Sequence, residues 1–304
     1  MCVQPVCHDN PRLRLGSRLP WCDLRLRAHA LPPYCFSTIA VVYLFLVSRM
    51  HATALKRYWR HYLLVLIAAG SLLILLCLPP IHQDTRYHEF ADTRRFLGVP
   101  NFADVISNVP FLIVGLAGIM LGACGRLTGY SICWFTFFLG VSIVSIGSGY
   151  YHWHPNNDSL VWDRLPMTVG FIGLFMAALS ESVYPKLGSI LLLPSLMLGT
   201  GSVIYWHYYN DLRFYVWVQY TPLLILPVLL ALFPTQYSHS YMLLIGLACY
   251  LFAKLFEVFD REVFAILRGR LAGHAIKHLW AAAGCFCILQ MLRKRQLLNV
   301  KRAA

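Results

Sequence analysis

The chain has 304 residues, 58% of them hydrophobic and only 13% charged, which is about half the charged share of an ordinary soluble domain. That composition excludes both a soluble globular domain and a disordered chain. A formal net charge of +13, from 26 Lys plus Arg against 13 Asp plus Glu, would suit nucleic acid only if the bases formed a patch on a polar folded surface, and they do not. Ten cysteines in 304 residues are too sparse for a disulfide scaffold.

The bases gather at the two ends. Arg12, Arg14, Arg18, Arg25, Arg27, Arg49, Lys56, Arg57 and Arg60 precede the first long apolar run, and Arg293, Lys294, Arg295, Lys301 and Arg302 follow the last. Residues 1–60 read as a basic, poorly ordered tail. Within it, 1–49 differ from the rest in composition, with scattered cysteines and prolines and no clear period, and are expected to be dispensable, with Met50 having the shape of a start. The apolar run 35–47 is too short to span a bilayer comfortably.

A bilayer core about 30 Å thick needs about 20 apolar residues in a helix. In chain order the candidates are 62–78, 105–124, 131–151, 161–183, 188–206, 214–233, 241–258 and 274–292. The expected fold class is all-α, a polytopic membrane helical bundle. Its parts are a leading transmembrane helix (61–79), an extracytoplasmic linker (80–104), a seven-helix core (105–292) and a basic cytoplasmic tail (293–304). If the basic flank before Tyr62 stays in the cytoplasm, eight crossings return the C-terminus there, as the second basic cluster requires. Arg86, Arg94, Arg95, Arg261, Arg268 and Arg270 then lie outside, against the charge rule.

Ionisable groups in membrane helices are costly and are read first as functional. Ser148 and His152 stand four apart at the end of the third span, Asp163 opens the fourth, and His274 and His278 open the last. An i, i+4 pair shares one helical face, so His274 and His278 can present two imidazoles to one metal, as the His pair of zinc-binding HExxH motifs does. The alternating topology brings the ends of these three spans to one membrane surface. His152 can then supply a third nitrogen, leaving the fourth tetrahedral position to water, with Asp163 and Ser148 beside it. Taken singly, each motif is more often an interfacial histidine or a helix cap, and only their convergence argues for a metal.

Other polar residues have simpler readings. Ser107 and Asn108 read as helix glue before support for a ligand histidine. Lys254 and Glu257 neutralise each other at three residues' separation, and Asp260 is placed to orient an imidazole. Cys285 and Cys287 point apart around their helix and make no clamp.

The pattern Ser148-x3-His152, Asp163, His274-x3-His278 resembles the signature of the alkaline ceramidase family, within the CREST superfamily of seven-helix membrane hydrolases, over residues 89–292. The stretches Tyr151-His152-Trp153-His154-Pro155-Asn156 and Asp163-Arg164-Leu165-Pro166-Met167-Thr168 look most like the bacterial ceramidase-domain members. The resemblance implies Zn2+ held by His152, His274 and His278, with Asp163 and Ser148 as the catalytic side chains acting on the attacking water and the developing oxyanion. It further implies a zinc-dependent amidohydrolase cleaving ceramide or a related N-acyl lipid to fatty acid and sphingoid base. The expected setting is an integral multi-pass membrane position, the inner or plasma membrane if the chain is bacterial, with the active site toward the extracytoplasmic side. The partners are the bilayer and its lipid substrate, with no nucleic acid.

Family members from eukaryotes carry an acidic calcium-binding segment before the first core helix. Here that stretch holds only Glu89, Asp92 and Asp104, interrupted by Arg94 and Arg95, so calcium is left unassigned and Asp92 is expected to pair with an arginine. Two further functions remain open on the residues alone. One is a lipid esterase or phospholipase using the same zinc water. The other is a non-enzymatic seven-helix receptor or a transporter with structural zinc or proton-relay histidines.

Overall fold

The computed structural model describes residues 56–125 and 131–298. The expectations for residues 1–49 and for the 35–47 run fall outside them. Every regular element among the described residues is helical: α1 (Lys56–Cys77), α2 (Phe102–Ile106), α3 (Val109–Ala123), α4 (Ser131–Trp153), α5 (Asn157–Ser182), α6 (Leu187–Tyr209), α7 (Arg213–Leu232), α8 (Met242–Val258), α9 (Asp260–Ile266) and α10 (Gly273–Lys294). Helices α1, α4, α5, α6, α7 and α10, together with Phe102–Ala123 taken as one span, are long and apolar enough to cross a bilayer, and the chain is an integral multi-pass membrane protein.

The surface supports that assignment. Val65, Leu66, Leu73 and Ile74 of α1, Met120 of α3 and Ile146 of α4 are exposed, while Asp104, Asn108, His152, Asp163, Arg164, His274 and His278 are buried. Apolar outside and polar inside is the distribution expected when the solvent is lipid.

The observed boundaries depart from the expected ones where local chemistry outweighs hydropathy. Lys56, Arg57 and Arg60, expected in a tail, lie within helix α1. Helix α5 begins at Asn157 rather than 161, because Asn156 Oδ1 accepts the Ser159 N–H at 2.8 Å while Ser159 Oγ accepts from Asn156 N, a reciprocal cap. Asp163 therefore lies in the second turn and does not open the helix. The first core span breaks at Ser107–Asn108, where Pro110 withdraws a backbone donor. Helix α8 has 17 residues and turns by 80° into α9.

Two features position the functional end. Helices α4 and α5 meet at Gly147, where any Cβ would collide with the carbonyl of Trp162 on α5. This contact brings the last turn of α4, with Ser148 and His152, against the start of α5. The linker 78–101 is tied to the same end by side chains: Asp211 Oδ1 accepts from Ile81 N at 3.4 Å and Asn210 Oδ1 from Gln83 N at 3.1 Å. Asp211 is clamped by Arg213 at 2.7 Å, and hydrogen bonds from that guanidinium hold its carboxyl below the usual carboxylate range. At the opposite end of the bundle Arg295 pairs with Glu181 at 2.7 Å and stacks on Tyr237, anchoring the end of α10.

Replacing Gly147 by Val should force α4 and α5 apart and cost about 1–3 kcal/mol of stability. A lower melting temperature for detergent-solubilised Gly147→Val is the expected result, and an unchanged one would show that this contact does not set the helix spacing.

Candidate metal centre

His152 ends α4, and His274 and His278 lie on consecutive turns at the start of α10. One ring nitrogen from each lies within 4.8 Å of the other two, and the ring centroids are 4.7, 4.9 and 5.2 Å apart. All three rings are buried. Among the described residues no cysteine or carboxylate joins the group.

Three of their nitrogens lack partners. Both ring nitrogens of His152 and Nε2 of His274 are buried without a hydrogen bond. An unpaired buried polar atom costs roughly 1–3 kcal/mol, so three within one cluster call for an occupant. The donor set, three imidazoles with no thiolate or carboxylate among the described residues, suits a divalent cation of zinc type.

Neighbouring elements fix each ring. Asn101, held in the left-handed region at φ 46°, donates from Nδ2 to the His152 carbonyl at 2.8 Å. Phe90 of the linker packs on His152 and His274, with centroids 4.8 and 4.7 Å away, and closes the cluster from outside. The 80° break after α8 delivers Asp260, whose Oδ1 accepts the His274 backbone N–H at 2.7 Å and whose Oδ2 accepts from Ala91 N at 2.9 Å. Asp260 thus pins the N-terminus of α10, where the sequence suggested that it would orient an imidazole.

Of the two readings open to Ser107, the contact fits support of a histidine: Ser107 Oγ lies 2.8 Å from His278 Nδ1. The hydroxyl proton is used on the Asp104 carbonyl at 3.0 Å, so Oγ accepts Nδ1–H, and the lone pair of His278 rests on Nε2. Asn108 does act as glue: its Nδ2 donates to the Asp104 carbonyl, and its own carbonyl accepts from Ser145 Oγ.

Ser148 and Asp163 are both buried and lie beside each other across the α4–α5 contact. With His278 they line a cavity of about 450 Å³ that continues between the helices to Leu226, Leu243 and Ile288. His278 and Ile288, ten residues apart on α10, mark about 15 Å of its length. One end is polar and the other apolar.

Most of the remaining acidic groups at this end are paired. Glu257 bonds Lys254, as the three-residue spacing suggested, but also Lys277 at 2.7 Å and the Tyr87 hydroxyl at 2.9 Å. Asp92 pairs with Arg94 at 2.6 Å, and those hydrogen bonds hold its carboxyl below the usual range. Glu89 meets Arg261 at 3.2 Å, while both carboxylate oxygens of the buried Asp104 have no hydrogen-bond partner. Among the described residues these carboxylates form no common cluster.

The chain matches no known protein family, no curated protein and no solved structure.

Ser107→Ala leaves His278 Nδ1–H unpaired and should weaken zinc affinity by about 10–100-fold. Chelator competition on purified protein measures this. Equal affinity in Ser107→Ala and wild type would return Ser107 to a purely structural role.

Proposed function

We propose that the chain is a zinc-dependent amidohydrolase of the membrane that cleaves the amide bond of ceramide or a related N-acyl lipid. The observation that carries this reading is the cluster of three buried imidazoles, with unpartnered nitrogens on His152 and His274, whose His278 shares with Ser148 and Asp163 the polar head of an apolar cavity. A metal held by four protein ligands would have a closed shell. Three ligands beside an acid–base pair leave room for a reactant.

His152, His274 and His278 are the residues that would hold the metal. Bound there, zinc supplies Lewis acidity toward a carbonyl and acidifies water to a pKa of about 7. Asp163 receives the proton lost by the attacking water and returns it to the leaving nitrogen, so that one water is consumed and a carboxylic acid and an amine are released. Ser148, beside Asp163, donates from its hydroxyl to the oxygen that gains charge as the carbonyl is attacked. Phe90 keeps bulk water from the rings, and the apolar end of the cavity takes the acyl chain. The basic flanks support an extracytoplasmic position for this end of the bundle.

Purified protein offered matched N-acyl and O-acyl lipids tests the reading. The wild type should release fatty acid from the amide. His274→Ala should lose both zinc and activity, and Asp163→Asn should slow turnover by about 10²–10⁴-fold with zinc retained. Full activity in a metal-free His274→Ala protein would overturn the mechanism, and cleavage of the ester alone would make the protein a lipid esterase.

A further inference from the structure

Among the described residues two arginines are buried within aromatic cages, and one of them has its charge answered. Arg295 pairs with Glu181 at 2.7 Å. Arg164, next to Asp163 on α5, has its guanidinium carbon 3.9 Å from the centroid of Trp206 on α6 and 4.7 Å from that of Tyr215 on α7. Its Nη2 donates to the neutral amide oxygen of Gln83 at 2.7 Å, while Nη1 is buried with no hydrogen-bond partner. The residue is 7% exposed, and among the described residues no carboxylate forms an ion pair with it.

A guanidinium keeps its charge at every accessible pH, and burying one against an amide and two ring faces leaves it undercompensated. The rest of the cavity does not correct the imbalance. Arg164, Lys254 and Lys277 line its polar end against the carboxylates of Asp163 and Glu257. Both lysines already share Glu257, and Asp84, at the rim, is engaged by Arg86. Cations therefore outnumber available carboxylates in a site whose far wall is apolar.

We propose that the cavity binds an amphiphile with an anionic head group, held by Arg164 Nη1, while its acyl chain fills the apolar end. The proposal rests on the amidase reading only for the bond cleaved, and narrows that reading to acidic N-acyl lipids, with an N-acyl amino acid as the simplest example. Arg164 and the Ser148–Asp163 pair line the same cavity, so a carboxylate on the leaving amine and the scissile amide can be engaged together. The Trp206–Tyr215 cage fixes the guanidinium plane in advance, so little side-chain entropy is lost when the anion binds.

The test uses metal-stripped full-length protein in detergent, which removes the pull of zinc on anions, and measures displacement of a fluorescent fatty acid by palmitate, hexadecyl phosphate and hexadecanol. Wild type should bind the two anions about tenfold or more tighter than the alcohol, the size of one charge-assisted hydrogen bond. Arg164→Gln should bring that ratio close to one, and Arg164→Lys should keep part of it. No anion preference in wild type, or a preference undiminished in folded Arg164→Gln, overturns the proposal. A zinc-loaded arm compares N-palmitoylglycine with N-palmitoylethanolamine. Anion preference with neither amide cleaved upholds the Arg164 site and removes the amidase reading. Cleavage of both at one rate, with no binding preference, does the reverse.

Discussion

Three imidazoles buried together with unsatisfied nitrogens are the constraint around which the functional end of this bundle is arranged. Lipid offers no hydrogen bond in exchange, so the polar cluster must be completed from inside the protein or by an occupant. The surrounding features serve that placement. The bare Cα of Gly147 lets α4 reach α5, the 80° break lets Asp260 hold the start of α10, and Ser107 fixes the ring of His278 from a third helix.

The same economy separates structural from reactive charge. Glu181 with Arg295, Asp211 with Arg213, and Glu257 with its two lysines are closed arrangements in which each charge meets its opposite. The histidine cluster, Asp104 and Arg164 are open ones, with buried polar atoms that find no hydrogen-bond partner, and His278 and Arg164 line the cavity. A buried group left unpartnered by the fold marks where a ligand does part of the pairing.

Much of the architecture was legible in the sequence because hydropathy and helix length are local properties. The helical bundle and its spans follow from apolar runs, and His274 and His278 fall on one face because four residues make about one turn. The Lys254–Glu257 and Asp92–Arg94 pairs were readable for the same reason, each being a short-range contact. Less legible was whatever depends on a partner from another helix. Nothing near Ser107 in the chain announces His278, 171 residues away, and Lys277 reads as a lone base until Glu257 is found across α8. Arg164 was read only as part of the motif beside Asp163, because its cage comes from α6 and α7 and its amide partner from the linker. One local signal was available and passed over: Asn156 and Ser159, three apart, mark a capped helix start and would have placed Asp163 in the second turn.

Zinc K-edge X-ray absorption on the purified protein, with metal content determined on the same sample, tests the central claim most directly. The account predicts about one zinc per chain with three imidazole nitrogens at about 2.0–2.1 Å and a light-atom fourth neighbour. A protein that purifies without metal and takes up none, or a zinc shell of sulfur ligands, would contradict it.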